Sequence, residues 1–309
     1  MALTRRFHEF FFAPQSPFDL GICRAIFFGI CFFHYSNQSI YLWGDIAPSL
    51  WQPIWTFKVF GIPALGAEIL RPLFYVWLIA LAMASLGVLT KLATITSAAI
   101  GFYMISLSQC WGKVDHDDAA VLLTMLLLAL SRCGDAVSLD TLGRKNNPQP
   151  SGEYRWPIRF VWVTLSLVFF AAGMAKLRIS GFEWAWSENM RVLMVRRQYI
   201  SPHLDESVLW IAQTWWLPRL MAASVMFFEA GYPLALFSRR LRLVFVPGLI
   251  MSVIGFKYMI SPDFRQLLYL SLFWVPWGQL IERVRKWPAT ANLTTSRSSA
   301  QLVRASKTS

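Results

Sequence analysis

Eight apolar runs, each near the length a helix needs to cross a lipid bilayer, restrict this chain more than any other feature. A bilayer's hydrocarbon core takes about 20 apolar residues as a helix. The runs fall at 18–36, 72–90, 92–111, 119–133, 157–176, 219–237, 243–260 and 264–284. Charged residues make up only 15% of the 309 and hydrophobic residues 56%, which leaves little material for a water-soluble fold, where about a quarter of residues are charged. The pattern predicts an all-α, polytopic integral membrane protein of about eight transmembrane helices over residues 1–287. The second and third runs meet so tightly at Lys91 that they must form a helical hairpin. Residues 288–309, rich in Ser, Thr and Ala without apolar period, read as a disordered cytoplasmic tail.

The formal net charge of +12 comes from lysines and arginines scattered between the apolar runs. That distribution fits a positive-inside bias and attraction to anionic headgroups. It offers no soluble basic surface for nucleic acid. An even number of spans puts both termini on one side, and the short segments on that side carry most of the basic residues, among them Arg239, Arg240 and Arg242. Both termini are therefore expected in the cytoplasm, with the protein in the inner membrane. Cys23, Cys31, Cys110 and Cys133 form no Cys-x-x-Cys pair, so neither a disulfide framework nor a thiolate metal site is expected. The N-terminus shows no removable signal.

In this topology the segment after Lys176 lies outside. Its stretches "SENMRVLMVRRQY" and "ESVLWIAQTWWL" are too short to span and rich in arginine or tryptophan, and read as interfacial or re-entrant helices.

Ionisable residues inside spans are costly and mark functional candidates. Arg24 interrupts "GICRAIFFG" and Glu229 interrupts "SVMFFEAGYPLAL". At a helical rise they sit roughly 10 and 12 Å from the inner ends of their spans, which suggests an ion pair between the first and sixth spans. The alternative has Arg24 snorkelling inward and Glu229 protonated or bonded to a hydroxyl. Gly21, Ala25 and Gly29 recur every four residues and predict a close helix-packing face.

In "KVDHDD", Asp115, His116, Asp117 and Asp118 are consecutive. One reading is helix capping, with the aspartates at the positive end of the fourth span's dipole. Others are a polar pocket around His116 or a metal site. Lys176, in "FFAAGMAKLRISGFEWAW", also has two readings. A lysine at a span end followed by tryptophans is an interfacial anchor. A desolvated lysine in the same place can act as a base.

Several stretches, in order from about residue 20 to residue 277, together resemble the HTTM family, the membrane domain shared with vitamin K-dependent gamma-carboxylase. They are "LGICRAIFFG", "YLWGDIAPSL", "DHDDAAVLLTMLLLALSRCGDAVSLD", "AAGMAKL" followed by "EWAW", and "FFEAGYPLALF". The resemblance implies that Lys176 is the base that activates a quinol such as vitamin K hydroquinone on the outer face. Ala175 stands where the carboxylase has a second lysine, and no counterpart of its large soluble domain follows the last span.

The resulting expectation is an enzyme with carboxylase- or epoxidase-like quinol or lipid chemistry. Lys176 and His116 are its catalytic candidates, and Asp115, Asp117, Glu183 and Trp184 the substrate-binding candidates, with no metal. Its partners are the bilayer, a quinone or lipid, and a small secreted peptide. The alternative is a non-enzymatic membrane factor for maturation, export or immunity of a secreted peptide.

Overall fold

The structure, a computed structural model, describes residues 2–112, 116–143, 148–200, 205–261 and 264–281, with the side chains of 2, 3 and 116 excepted. The tail expected at 288–309 lies outside these residues. Helices account for nearly all regular structure, and among the described residues there is no strand, only an isolated antiparallel bridge between Gln15 and Ser151.

An N-terminal helix, α1 (Ala2–Phe12), precedes α2 (Pro17–Ser36), a short α3 (Trp55–Phe60), and the pair α4 (Ala67–Leu86) and α5 (Thr90–Ser108). Then come α6 (His116–Leu130) and the long α7 (Trp156–Ser180). Three short helices follow, α8 (Glu183–Trp186), α9 (Asn189–Ile200) and α10 (Glu206–Gln213). The chain ends in α11 (Leu217–Gly231), α12 (Leu234–Phe237), α13 (Arg239–Ile260) and α14 (Arg265–Ser271).

Local chemistry sets the boundaries. Ser16 accepts from the Phe18 amide at 3.3 Å and Pro17 opens α2, a first turn built from a cap and a residue without an orphan N–H. Gly87 at φ 74° closes α4, and α5 starts three residues later, giving the hairpin expected at Lys91.

Among the described residues, five helical segments are long and apolar enough to cross a membrane: Pro17–Ser36, Ala67–Leu86, Thr90–Trp111, Gly152–Ser180 and Arg239–Ile260. The other three apolar runs make shorter helices. The fourth forms the 15-residue α6. The sixth breaks at Tyr232–Pro233 between α11 and α12, where proline cannot donate to the preceding turn. The eighth leaves α-helix at Ser271, passes through a 3₁₀ turn to Trp274 and meets Pro276.

The main core gathers α2, α4, α5, α6, α7 and α13 around Phe28, Trp77, Leu128 and Leu165, all fully buried. The small-residue face of α2 packs as its spacing predicts. A Cβ at Gly21 would collide with the Ala136 carbonyl, and Ser85 on α4 donates to the Ala25 carbonyl at 2.8 Å. A second, smaller core sits after α7, where Met190, Met194, Val208 and Met226 join α9, α10 and α11. Tyr258 at the end of α13 donates to Asp205, the cap of α10, at 2.5 Å. The stretches at α9 and α10 are thus helical, packed on one another and on α13.

Candidate functional site

The antiparallel contact of α7 with α11 begins with a missing side chain. A Cβ on Gly173 would come within 2.7 Å of the Ala230 nitrogen, so glycine lets the two backbones approach closely. Phe169 packs on Tyr232 one turn earlier, with ring centroids 5.1 Å apart. One turn later Lys176 reaches across, and its Nζ lies 2.5 Å from Oε2 of Glu229.

Three observations characterise this contact. Glu229 has 8% of its side chain exposed and Lys176 has 21%, so the pair is largely removed from solvent. The Lys176 Nζ stands 5.2 Å from the centroid of the half-buried Trp184 ring, within range of a cation–π contact. Glu229 also lies in the last turn of α11, the negative end of the helix dipole, where a carboxylate is disfavoured and a nearby cation compensates. Lys176 supplies that cation.

The ion pair expected between Arg24 and Glu229 is not formed. Arg24 is fully buried on α2, and its Nη1 donates to the Ala84 carbonyl at 2.8 Å while Nη2 donates to the Val137 carbonyl. The cause is neighbourhood: α2 packs on α4, whereas α11 packs on α7. Ala84 lies in the last turn of α4, where carbonyls lack intrahelical partners. Shared depth in a bilayer fixes one coordinate and says nothing of which helices are adjacent.

The "SLD" stretch completes this inner knot. Ser138 donates to the Gly87 carbonyl at 2.7 Å, and Asp140 accepts from the amides of Leu89 and Thr90 at 2.9 and 2.7 Å. Its carboxyl is held below the usual range, first by the Thr90 amide, against a smaller opposing effect of burial.

The other sequence candidates divide. Asp115 lies outside the described residues, and of His116 only the backbone is described, at the first position of α6. Asp117 is buried at 6% exposure. Asp118 accepts from Gln109, just past the end of α5, at 2.8 Å and from Gln266 on α14 at 3.4 Å, so this end of α6 is a polar junction of three segments. Glu183 is exposed at the start of α8 and makes no ion pair with Lys176. The structure therefore unites Lys176, Glu229 and Trp184.

Two grooves lie elsewhere. One of about 740 Å³ runs along α9, lined by Glu188, Val192, Val195 and Tyr199. Another of about 390 Å³ lies beside Asp118, lined by Trp55, Ser106, Gln109 and Leu122. Glu229 as the partner of Lys176 escaped the sequence reading. Its signal was the small residues at each contact, "AAGMAK" and "EAG", which permit two helices to meet closely enough for the charges to touch. Against family models, curated proteins and solved structures, the chain has no match.

Proposed function

We propose that this chain is a multi-pass inner-membrane enzyme of the HTTM class, with both termini cytoplasmic, in which Lys176 and Glu229 form a proton-handling dyad toward the outer face. The single observation that carries the reading is the 2.5 Å contact between Lys176 Nζ and Glu229 Oε2 in a largely dry helix interface. The order of HTTM-like stretches supports it.

An amine acts as a base only when neutral, and a hydrogen-bonded carboxylate offers a place for its proton. In this dyad Glu229 takes the ammonium proton and Lys176 then accepts the proton of a weakly acidic hydroxyl beside it. The Trp184 ring borders Lys176 and offers an aromatic face for stacking. A quinol supplies such a hydroxyl together with a reducing ring, which makes a reduced quinone the preferred substrate class, with a lipid hydroxyl second. Exposed Phe182 and Trp186 flank the approach from the lipid side.

The test uses purified protein in lipid nanodiscs supplied with reduced vitamin K and oxygen, with epoxide followed by mass spectrometry. Product from the parent protein and none from Lys176→Arg or Glu229→Gln is the expected result. Arginine keeps the charge and does not deprotonate near neutral pH. Equal product from all three removes the dyad from the chemistry.

A second reading takes the protein as a non-enzymatic factor that assists a secreted peptide. The close approach at Gly173 favours it, because a charge pair beside such a contact also serves as a brace between α7 and α11. No epoxide from any form, with Lys176→Arg as stable as the parent, is the outcome on that reading.

A further inference from the structure

At the end of the molecule remote from Lys176, two arginines meet on one aromatic platform, with a third charge, Arg155, close by. Trp162 of α7 stacks on Trp274 with ring centroids 4.1 Å apart, and the Trp162 indole donates to the Phe273 carbonyl at 2.8 Å, fixing the platform. The Arg159 guanidinium carbon lies 3.7 Å from the Trp162 centroid and the Arg242 guanidinium carbon 4.1 Å from it. Their charges are thus held within about 8 Å of one another, where like charges repel. Arg155, one turn before Arg159, fixes its side chain by donating from Nε to the Phe10 carbonyl at 2.9 Å.

None of the three makes an ion pair among the described residues. The Arg159 side chain makes no hydrogen bond among the described residues, and its Nε is buried without a partner. Arg242 spends only its Nε, on the Ala235 carbonyl at 3.3 Å. Of the acidic residues in the segments that flank the arginines, Glu9 pairs with Arg5, Asp135 is bonded to Arg132 and Tyr154, and Glu153 forms no ion pair with any of the three. Gathering half-buried cations is unfavourable without counter-charge, and the described residues supply them none.

Position identifies what supplies the counter-charge. Arg155 immediately precedes α7 at its cap position, Arg159 lies in the opening turn of α7 and Arg242 in that of α13. Both helices are long and apolar enough to cross a membrane, so these turns fall at the bilayer boundary. Phe160, Leu243 and Val244, next to the arginines in the chain, are exposed apolar side chains of the kind that lipid would cover. Two helix N-termini add their own positive ends. Guanidinium forks match phosphate oxygens in pairs. We propose that Arg159 and Arg242, on the stacked Trp162–Trp274 platform, together with the neighbouring Arg155, bind the phosphate of an anionic phospholipid headgroup.

The experiment compares full-length protein in phosphatidylcholine nanodiscs with and without 30% phosphatidylglycerol (roughly the level at which anionic lipid is in large excess over one site). The readouts are thermal unfolding and, after release into detergent, retained lipid counted by native mass spectrometry. The parent protein is expected to unfold several degrees higher with phosphatidylglycerol and to retain it at least fivefold over phosphatidylcholine. Arg159→Gln/Arg242→Gln is expected to lose both the increment and the preference while unfolding no lower in pure phosphatidylcholine, because a like-charge repulsion has been relieved. Arg240→Gln, exposed on the same turn of α13, is expected to behave as the parent. Equal loss of stability in both membranes would make the arginines structural and overturn the proposal. So would retention of phosphatidylglycerol by the double variant, or an equal gain from inorganic phosphate alone, which would assign the site to a free anion.

Discussion

Asp140 accepts two hydrogen bonds from Thr90, from the amide at 2.7 Å and from the hydroxyl at 2.8 Å, across 50 positions of sequence. A carboxylate from the segment after α6 thereby caps α5 and closes the turn beneath the α4–α5 hairpin. The "SLD" stretch that resembles a family signature is, in this chain, a piece of helix-capping chemistry.

Replacement of Asp140 by alanine should lower stability by about 1 kcal/mol, the usual worth of a helix cap, and the exposure of the carboxylate argues against more. The pH dependence follows from the depressed carboxyl. A folded-state value below the unfolded one means that the contribution is present above the ordinary aspartate range, near about 4, and is lost as pH falls further. Asp205 is depressed in the same direction, first by the Ser207 hydroxyl and then by Tyr258, and adds to the same acid loss. Thermal unfolding of the parent at pH 7 and at about pH 2 should differ more than that of Asp140→Ala; an identical difference would remove Asp140 from the acid response.

Arg24→Lys should be nearly as damaging as Arg24→Gln. The guanidinium divides two donors between the carbonyls of Ala84 and Val137, on separate segments. A single ammonium satisfies one of them from that position, so each loss is expected to cost about 2 kcal/mol. Comparing unfolding temperatures of the two variants checks this, and a lysine variant as stable as the parent would show that charge alone is what α2 needs.

The sequence made the helices readable and their neighbours unreadable. Apolar runs at 18–36, 72–90 and 157–176 marked the helical segments found at Pro17–Ser36, Ala67–Leu86 and Gly152–Ser180, because that signal is local. The breaks at Pro233 and Pro276 were also written in the chain, yet an unbroken hydropathy count passes over a proline. Arg24 was recognisable as an unusual residue, but its acceptors are backbone carbonyls, which every residue carries and no sequence marks. Glu229 was marked equally well and matched to the wrong cation, since only the three-dimensional packing of α7 on α11 decides which charge it meets. The arginine–tryptophan platform had a trace in "RWPIRFVW" and "RRLRL", scattered over segments that only the fold unites.

Two glycines in long helices should respond oppositely to substitution. At Gly173 a new Cβ lies 2.7 Å from the Ala230 backbone nitrogen, so Gly173→Ala must push α7 from α11 and Gly173→Leu should prevent their contact. At Gly255 of α13 nothing stands within 4 Å of the added atom, and Gly255→Ala should be neutral or stabilising by about 0.5 kcal/mol. Unfolding temperatures of the two alanine variants measured side by side decide it. A Gly173→Ala protein at least as stable as Gly255→Ala would show that the α7–α11 approach is not tight.

Charge pairing across α7 and α11 sets the last expectation. Removing one member of a largely buried pair strands the other, so Lys176→Met and Glu229→Leu should each lower stability by about 3 kcal/mol. The double variant, apolar on both sides, should recover most of that loss, because desolvation of both charges is no longer required. A double-mutant cycle on unfolding free energies isolates the coupling from the separate packing changes. Coupling near zero would mean that each charge finds water or another partner, and the 2.5 Å contact would then carry neither a brace nor a dyad. Strong coupling together with an inactive but refolded double variant would separate the two roles: the stability regained shows the brace to be dispensable, and the activity lost shows the proton-handling groups to be needed.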